Sequence, residues 1–89
     1  MADKVIDQGR FWWSAGLPGE ETVRVLFNLA QAEAPAALTV ENYETREPYE
    51  VEASFVRQGV GKWARWTGAD VKFKRPEQRG KPFRWTLTG

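Results

Sequence analysis

Gly or Pro interrupts this chain at short intervals: at Gly9, Gly16, Pro18-Gly19, Pro35, Pro48, Gly59, Gly61, Gly68, Pro76, Gly80 and Pro82. Between the interruptions, apolar side chains fall at every second position. Each break removes a backbone donor or demands a turn conformation, so the segments between are too short for a helical bundle and suit strands joined by turns. In Phe83-Arg84-Trp85-Thr86-Leu87-Thr88 the alternation is strict. A period of two sends Phe83, Trp85 and Leu87 to one face and Arg84, Thr86 and Thr88 to the other. Val71-Lys72-Phe73-Lys74, Tyr49-Glu50-Val51-Glu52-Ala53-Ser54-Phe55 and Leu38-Thr39-Val40-Glu41 repeat the pattern. One apolar and one charged face per strand is the signature of a sheet covered on one side.

The segment 20–34 carries two patterns. Val23, Val25, Phe27 and Leu29 alternate as in a strand, while Val23, Leu26, Phe27, Ala30 and Ala34 follow a helical stripe. Glu20 and Glu21 suit a helix start and Pro35 a helix stop, whereas the β-branched Thr22, Val23 and Val25 favour extended backbone. The expected fold is therefore all-β: a small antiparallel meander, barrel-like or sandwich-like, of about five to seven strands. The alternative is an α+β domain with one helix over 20–34 on an antiparallel sheet. Leu17-Pro18-Gly19-Glu20 suits a type II turn, and Gly59-Val60-Gly61 a turn or a bulge.

With 89 residues the chain makes one domain with a thin core. Five Trp, five Phe and two Tyr offset that, because each aromatic ring buries a large area. There is no Cys and no His. Disulfides, thiolate metal sites and the commonest general base near neutral pH are thereby excluded. Ser14 and Ser54 lie in no nucleophile motif, and the acidic residues show no calcium-loop spacing. A binding protein without catalytic activity, cofactor or metal is expected. No signal-peptide pattern and no apolar run of membrane-spanning length occurs, so the expected location is the cytoplasm or a virion, with no membrane partner.

Charge is divided along the chain. Residues 1–56 hold four basic and ten acidic residues, and residues 57–89 hold nine basic and two acidic. In the basic third, cations alternate with rings: Lys62-Trp63-Ala64-Arg65-Trp66, Lys72-Phe73-Lys74-Arg75 and Arg79-Gly80-Lys81-Pro82-Phe83-Arg84-Trp85. Cations neutralise phosphates and rings stack on bases, which points to single-stranded nucleic acid. The candidate contacts are Lys62, Trp63, Arg65, Trp66, Lys72, Lys74, Arg79, Lys81 and Arg84, provided that they share one exposed surface. Phe73, Phe83 and Trp85 belong to the core by alternation. Trp63 and Trp66, three apart, point to opposite faces of a regular strand, so one indole stands outside unless a bulge intervenes. Phe11-Trp12-Trp13 cannot all face one side, which makes Trp12 and Trp13 a candidate interaction surface. Gly59-Val60-Gly61-Lys62 lacks the spacing of a phosphate-binding loop and reads as a hairpin turn.

Two other partners fit the same residues. The charge division suits an acidic protein surface or a second copy joined head to tail, as in a phage-type structural or host-directed protein. Trp12, Trp13 and Trp63 could also serve as ring platforms for carbohydrate.

Overall fold

The computed structural model describes residues 4–89. Thr22–Leu29 is a strand, which settles the ambiguous segment: the β-branched run prevails, and the helix over 20–34 does not form. Val23, Val25 and Phe27 are buried, while Leu26, which the helical stripe would have placed inside, is 72% exposed. The other strands are β1 (Val5–Phe11), β3 (Ala37–Asn42), β4 (Val51–Gln58), β5 (Arg65–Phe73) and β6 (Phe83–Thr88), with Thr22–Leu29 as β2. Short 3-10 turns occupy Gly61–Trp63 and Pro76–Gln78, and there is no α-helix among the described residues. Among the described residues no helix is long and apolar enough to cross a membrane.

The strands form two three-stranded antiparallel sheets, ordered β1-β6-β3 and β2-β5-β4. Only the β4–β5 hairpin joins neighbours, and the remaining connections cross from one sheet to the other. The all-β antiparallel expectation thus takes its sandwich form. Each sheet turns its apolar face inward. Phe83, Trp85 and Leu87 of β6 and Leu38 and Val40 of β3 meet Val23, Val25 and Phe27 of β2 and Ala69, Val71 and Phe73 of β5. Aromatic contacts lace the layers together. The Phe73 and Phe83 rings lie 5.3 Å apart, and Phe27 and Trp85 5.9 Å.

Two local devices fit the rings into a molecule this thin. Trp85 lays its indole flat over Gly9 of the neighbouring strand, and a Cβ at Gly9 would stand 2.5 Å from that ring. In β5, Gly68 pairs with Val56 and Trp66 with Arg57, so Thr67 is an extra residue and the strand bulges there. The bulge reverses the alternation and turns Trp66 toward the core, where its ring meets Phe55 edge-on at 6.4 Å. The Pro18-Gly19 turn is as expected, with Gly19 at φ 79° and the Glu20 N–H donating to the Leu17 carbonyl at 3.1 Å.

Gly9→Ala is expected to overpack the Trp85 site and destabilise the fold by about 1–3 kcal/mol, read from chemical denaturation. A second expectation concerns acid. Arg24 donates to Asp70 through Nε and Nη2 at 2.7 and 3.1 Å. That hydrogen bonding holds the Asp70 carboxyl below its ordinary value. A carboxyl depressed in the folded state stabilises the fold above its unfolded pKa, and the gain is lost as pH falls through the folded value. The pair is solvent-exposed, so the gain is small. Asp70→Asn should lose this acid-dependent increment and leave the rest of the pH–stability curve unchanged.

Candidate nucleic-acid interface

The cations of the last third do not form one surface. β5 and β6 are the central strands of different sheets, so Lys72 faces outward from one layer and Arg84 from the other. Each is flanked by strands from the acidic part of the chain. Lys72 pairs in register with Glu52 and forms an ion pair with Glu21 at 3.4 Å, and Arg84 lies opposite Glu41. Lys74 and Lys81 stand exposed in the crossover between the sheets. Arg79 is half-buried there and donates from Nη2 to the Phe73 carbonyl at 3.0 Å, an anchor for the crossover. Lys62, Trp63 and Arg65 gather at the hairpin end of β4–β5. Trp66 is turned inward by the bulge and packs, half-buried, against the core, so its ring is not presented outward as that of Trp63 is.

The N-terminal aromatics separate in the same way. Phe11 stacks on Phe83 with centroids 5.0 Å apart, and Trp13 packs on Phe73 at 5.7 Å. Trp13 also donates its indole N–H to the Lys81 carbonyl at 2.6 Å. These contacts remove Trp13 from the interaction surface expected for it. Trp12, between the two inward rings, is 57% exposed.

What the structure gathers is a different cluster, on the outer face of β1 and β6. Arg10 and Arg84 are direct cross-strand partners. Like charges so placed repel one another and weaken a sheet. A single ring holds them: the guanidinium carbons of Arg10 and Arg84 lie 5.5 and 5.6 Å from the centroid of Tyr43. Arg10 also donates to the Tyr43 hydroxyl at 2.9 Å. Trp12 leans on the same ring with centroids 5.2 Å apart. An open cleft of about 690 Å³ runs beside them, lined by Gln8, Gly9, Arg10, Trp12 and Arg84. Ion pairs among the described residues join Arg24 to Asp70, Lys72 to Glu21 and Arg75 to Glu77. Neither Arg10 nor Arg84 is in one.

Local sequence explains how Tyr43 reaches this position. Asn42 ends β3 and folds the chain back by accepting the N–H groups of Glu44 and Thr45 on its side-chain oxygen, at 2.8 and 2.9 Å. Its amide donates to the Tyr49 hydroxyl at 2.7 Å, and the Tyr43 N–H donates to the Pro82 carbonyl at 3.2 Å. Tyr43 is thereby fixed over β6. Chemically, the face offers two guanidinium groups for an anion and one exposed indole for a planar ring.

Of this cluster, the expected contacts supplied Trp12 and Arg84, while Arg10, Tyr43 and Gln8 were missed. The alternation that separates Trp12 from Phe11 and Trp13 extends back through Gly9, and places Gln8, Arg10 and Trp12 together on the outer face. That signal was available in the sequence. The approach of Tyr43 was not, because it comes from the turn that follows β3, a segment far from β1 and β6 in the chain.

No family model matches the chain, and neither the curated proteins nor the solved structures contain a match to it.

The placement of the rings sets a fluorescence expectation. Acrylamide should quench mainly Trp12 and Trp63, which are 57% and 68% exposed. Replacing both with Phe should remove most of the collisional quenching, and quenching that persists undiminished would contradict the inward placement of Trp13 and Trp66.

Proposed function

We propose that this chain is a non-enzymatic binding module for single-stranded nucleic acid, with its principal contact on the outer face of β1 and β6. The observation that carries the reading is the Arg10–Arg84 pair: two cross-strand cations outside any ion pair among the described residues, beside an exposed indole. A phosphate between the two guanidinium groups would relieve their repulsion and accept charge-assisted hydrogen bonds. A base could then stack on Trp12. A duplex would hide its bases from that ring, so an unpaired strand suits the face better.

A protein-interaction or assembly role is the second reading. Leu26 and Val60, 72% and 81% exposed, favour it. Head-to-tail joining of an acidic and a basic half draws less support from the fold, because the basic strands lie between acidic ones in both sheets.

Salt separates the readings. For a single strand, each phosphate neutralised contributes about −0.7 to the slope of log affinity against log salt. Arg84→Ala should weaken oligonucleotide binding and flatten that slope by about one such increment. Trp12→Ala should cost about 1–3 kcal/mol of binding with the slope retained. If neither substitution alters binding of an oligonucleotide, the β1–β6 face is not the interface.

A further inference from the structure

A second cation–aromatic patch lies at the other end of the sandwich, on the other sheet. Lys62 and Trp63 form the 3-10 turn that closes the β4–β5 hairpin, next to Arg65 at the start of β5. The first cluster sits at the Phe83 end of β6, level with Phe73 at the far end of β5. At about 3.3 Å per residue, β5 alone separates the two ends by about 26 Å.

The hairpin patch resembles the first in chemistry. Trp63 is 68% exposed, with Lys62 Nζ 5.5 Å from its ring centroid. Arg65 Nη1 donates to the neutral Asn28 Oδ1 at 3.5 Å on the outward face, while Arg57 faces the other way, over the inward Trp66 ring at 5.4 Å. None of Arg57, Lys62 and Arg65 is in an ion pair among the described residues. The turn itself is preset. Gly59 and Gly61 have φ of 89° and 58°, and a Cβ at Gly59 would stand 2.6 Å from the Trp63 carbonyl oxygen. The indole is therefore presented on a turn whose backbone requires Gly at position 59.

Between the patches the positive charge is interrupted. On the outer face of the β2-β5-β4 sheet, Asp70 neutralises Arg24, Glu21 neutralises Lys72, and Glu52 faces Lys72 from β4. On the outer face of the other sheet, the row beyond Arg10 and Arg84 is Gln8, Thr86 and Thr39, all uncharged. Charges separated by well over the Debye length of about 10 Å at 0.1 M salt act independently. A short strand held on one patch finds no continuous path to the other.

We infer that the chain has two separate sites for an anionic strand and bridges two segments of single-stranded nucleic acid. This rests on the reading proposed above for the β1–β6 face and adds a second, independent site at Lys62, Trp63 and Arg65.

The test uses an oligothymidylate about four nucleotides long, at the lower end of the ~4–16 nucleotides that an OB fold covers and too short to reach from one patch to the other. Donor- and acceptor-labelled copies are mixed with the full chain, and both binding stoichiometry and energy transfer are measured. Two oligonucleotides per chain, with energy transfer on adding protein, is the expected result. The double variant K62E/R65E and the variant R84E should each bind one oligonucleotide and lose the transfer. Circular dichroism checks that these surface changes leave the fold intact. Were transfer to arise instead from a dimer holding one strand per β1–β6 face, K62E/R65E would leave it unchanged, and that outcome overturns the inference. One oligonucleotide per chain, lost in R84E and kept in K62E/R65E, overturns the second site while the β1–β6 reading stands. Binding lost in K62E/R65E and kept in R84E overturns the two-site inference and the β1–β6 reading together, and so does absence of binding by the unaltered chain.

Discussion

Phe73 and Phe83 meet between the two sheets, toward one end of the sandwich, and the aromatic core is arranged around that contact. Both are fully buried, and they belong to the central strands of the two sheets. Phe11, Trp13 and Tyr49 surround them with further ring contacts at 5.0–6.4 Å. A chain of this length cannot build a deep core from aliphatic residues, and large rings bring the area required. The same contact positions the surface. Phe11 stacks on Phe83, Trp13 follows it inward, and Trp12 between them has no direction left but outward.

Strand order then decides where charge goes. The sequence divides into an acidic part and a basic part, but folding interleaves them, with β6 between β1 and β3 and β5 between β2 and β4. Lys72 and Arg84 separate onto opposite sheets, where Lys72 pairs with Glu21 and lies opposite Glu52, and Arg84 lies opposite Glu41. Of the cations outside ion pairs among the described residues, Arg10 and Arg84 lie beside Tyr43, Lys62 and Arg65 at the β4–β5 hairpin, and Lys74 and Lys81 in the crossover between the sheets. Each of the first two places has its own exposed indole. The electrostatic character of the surface therefore follows from topology more than from net charge, which is only +1.

Much of this was legible from alternation. Phe83, Trp85, Leu87, Val71, Phe73, Leu38 and Val40 were all expected inside and all are buried. The strand pattern of Val23, Val25 and Phe27 outweighed the helical one because β5 offers hydrogen bonds along the β2 edge from Thr22 to Leu29. Trp66 went the other way. Its direction depends on a single extra residue, Thr67, and a bulge is invisible to a strict period of two. The pairing of Arg10 with Arg84 joins residues 74 apart in the chain, and no local pattern records which strands become neighbours.

By itself, the sequence determined the class of structure and the inward face of most strands, because side-chain alternation and turn residues act over a few positions. It also determined that any chemistry must do without imidazole or thiol. Only the tertiary structure decided the pairing of strands, the inward turn of Trp13 and Trp66, and the meeting of Arg10, Arg84, Tyr43 and Trp12. Those outcomes depend on contacts between distant segments, where the area buried by rings and the register of hydrogen bonds select one arrangement that no stretch of residues specifies alone.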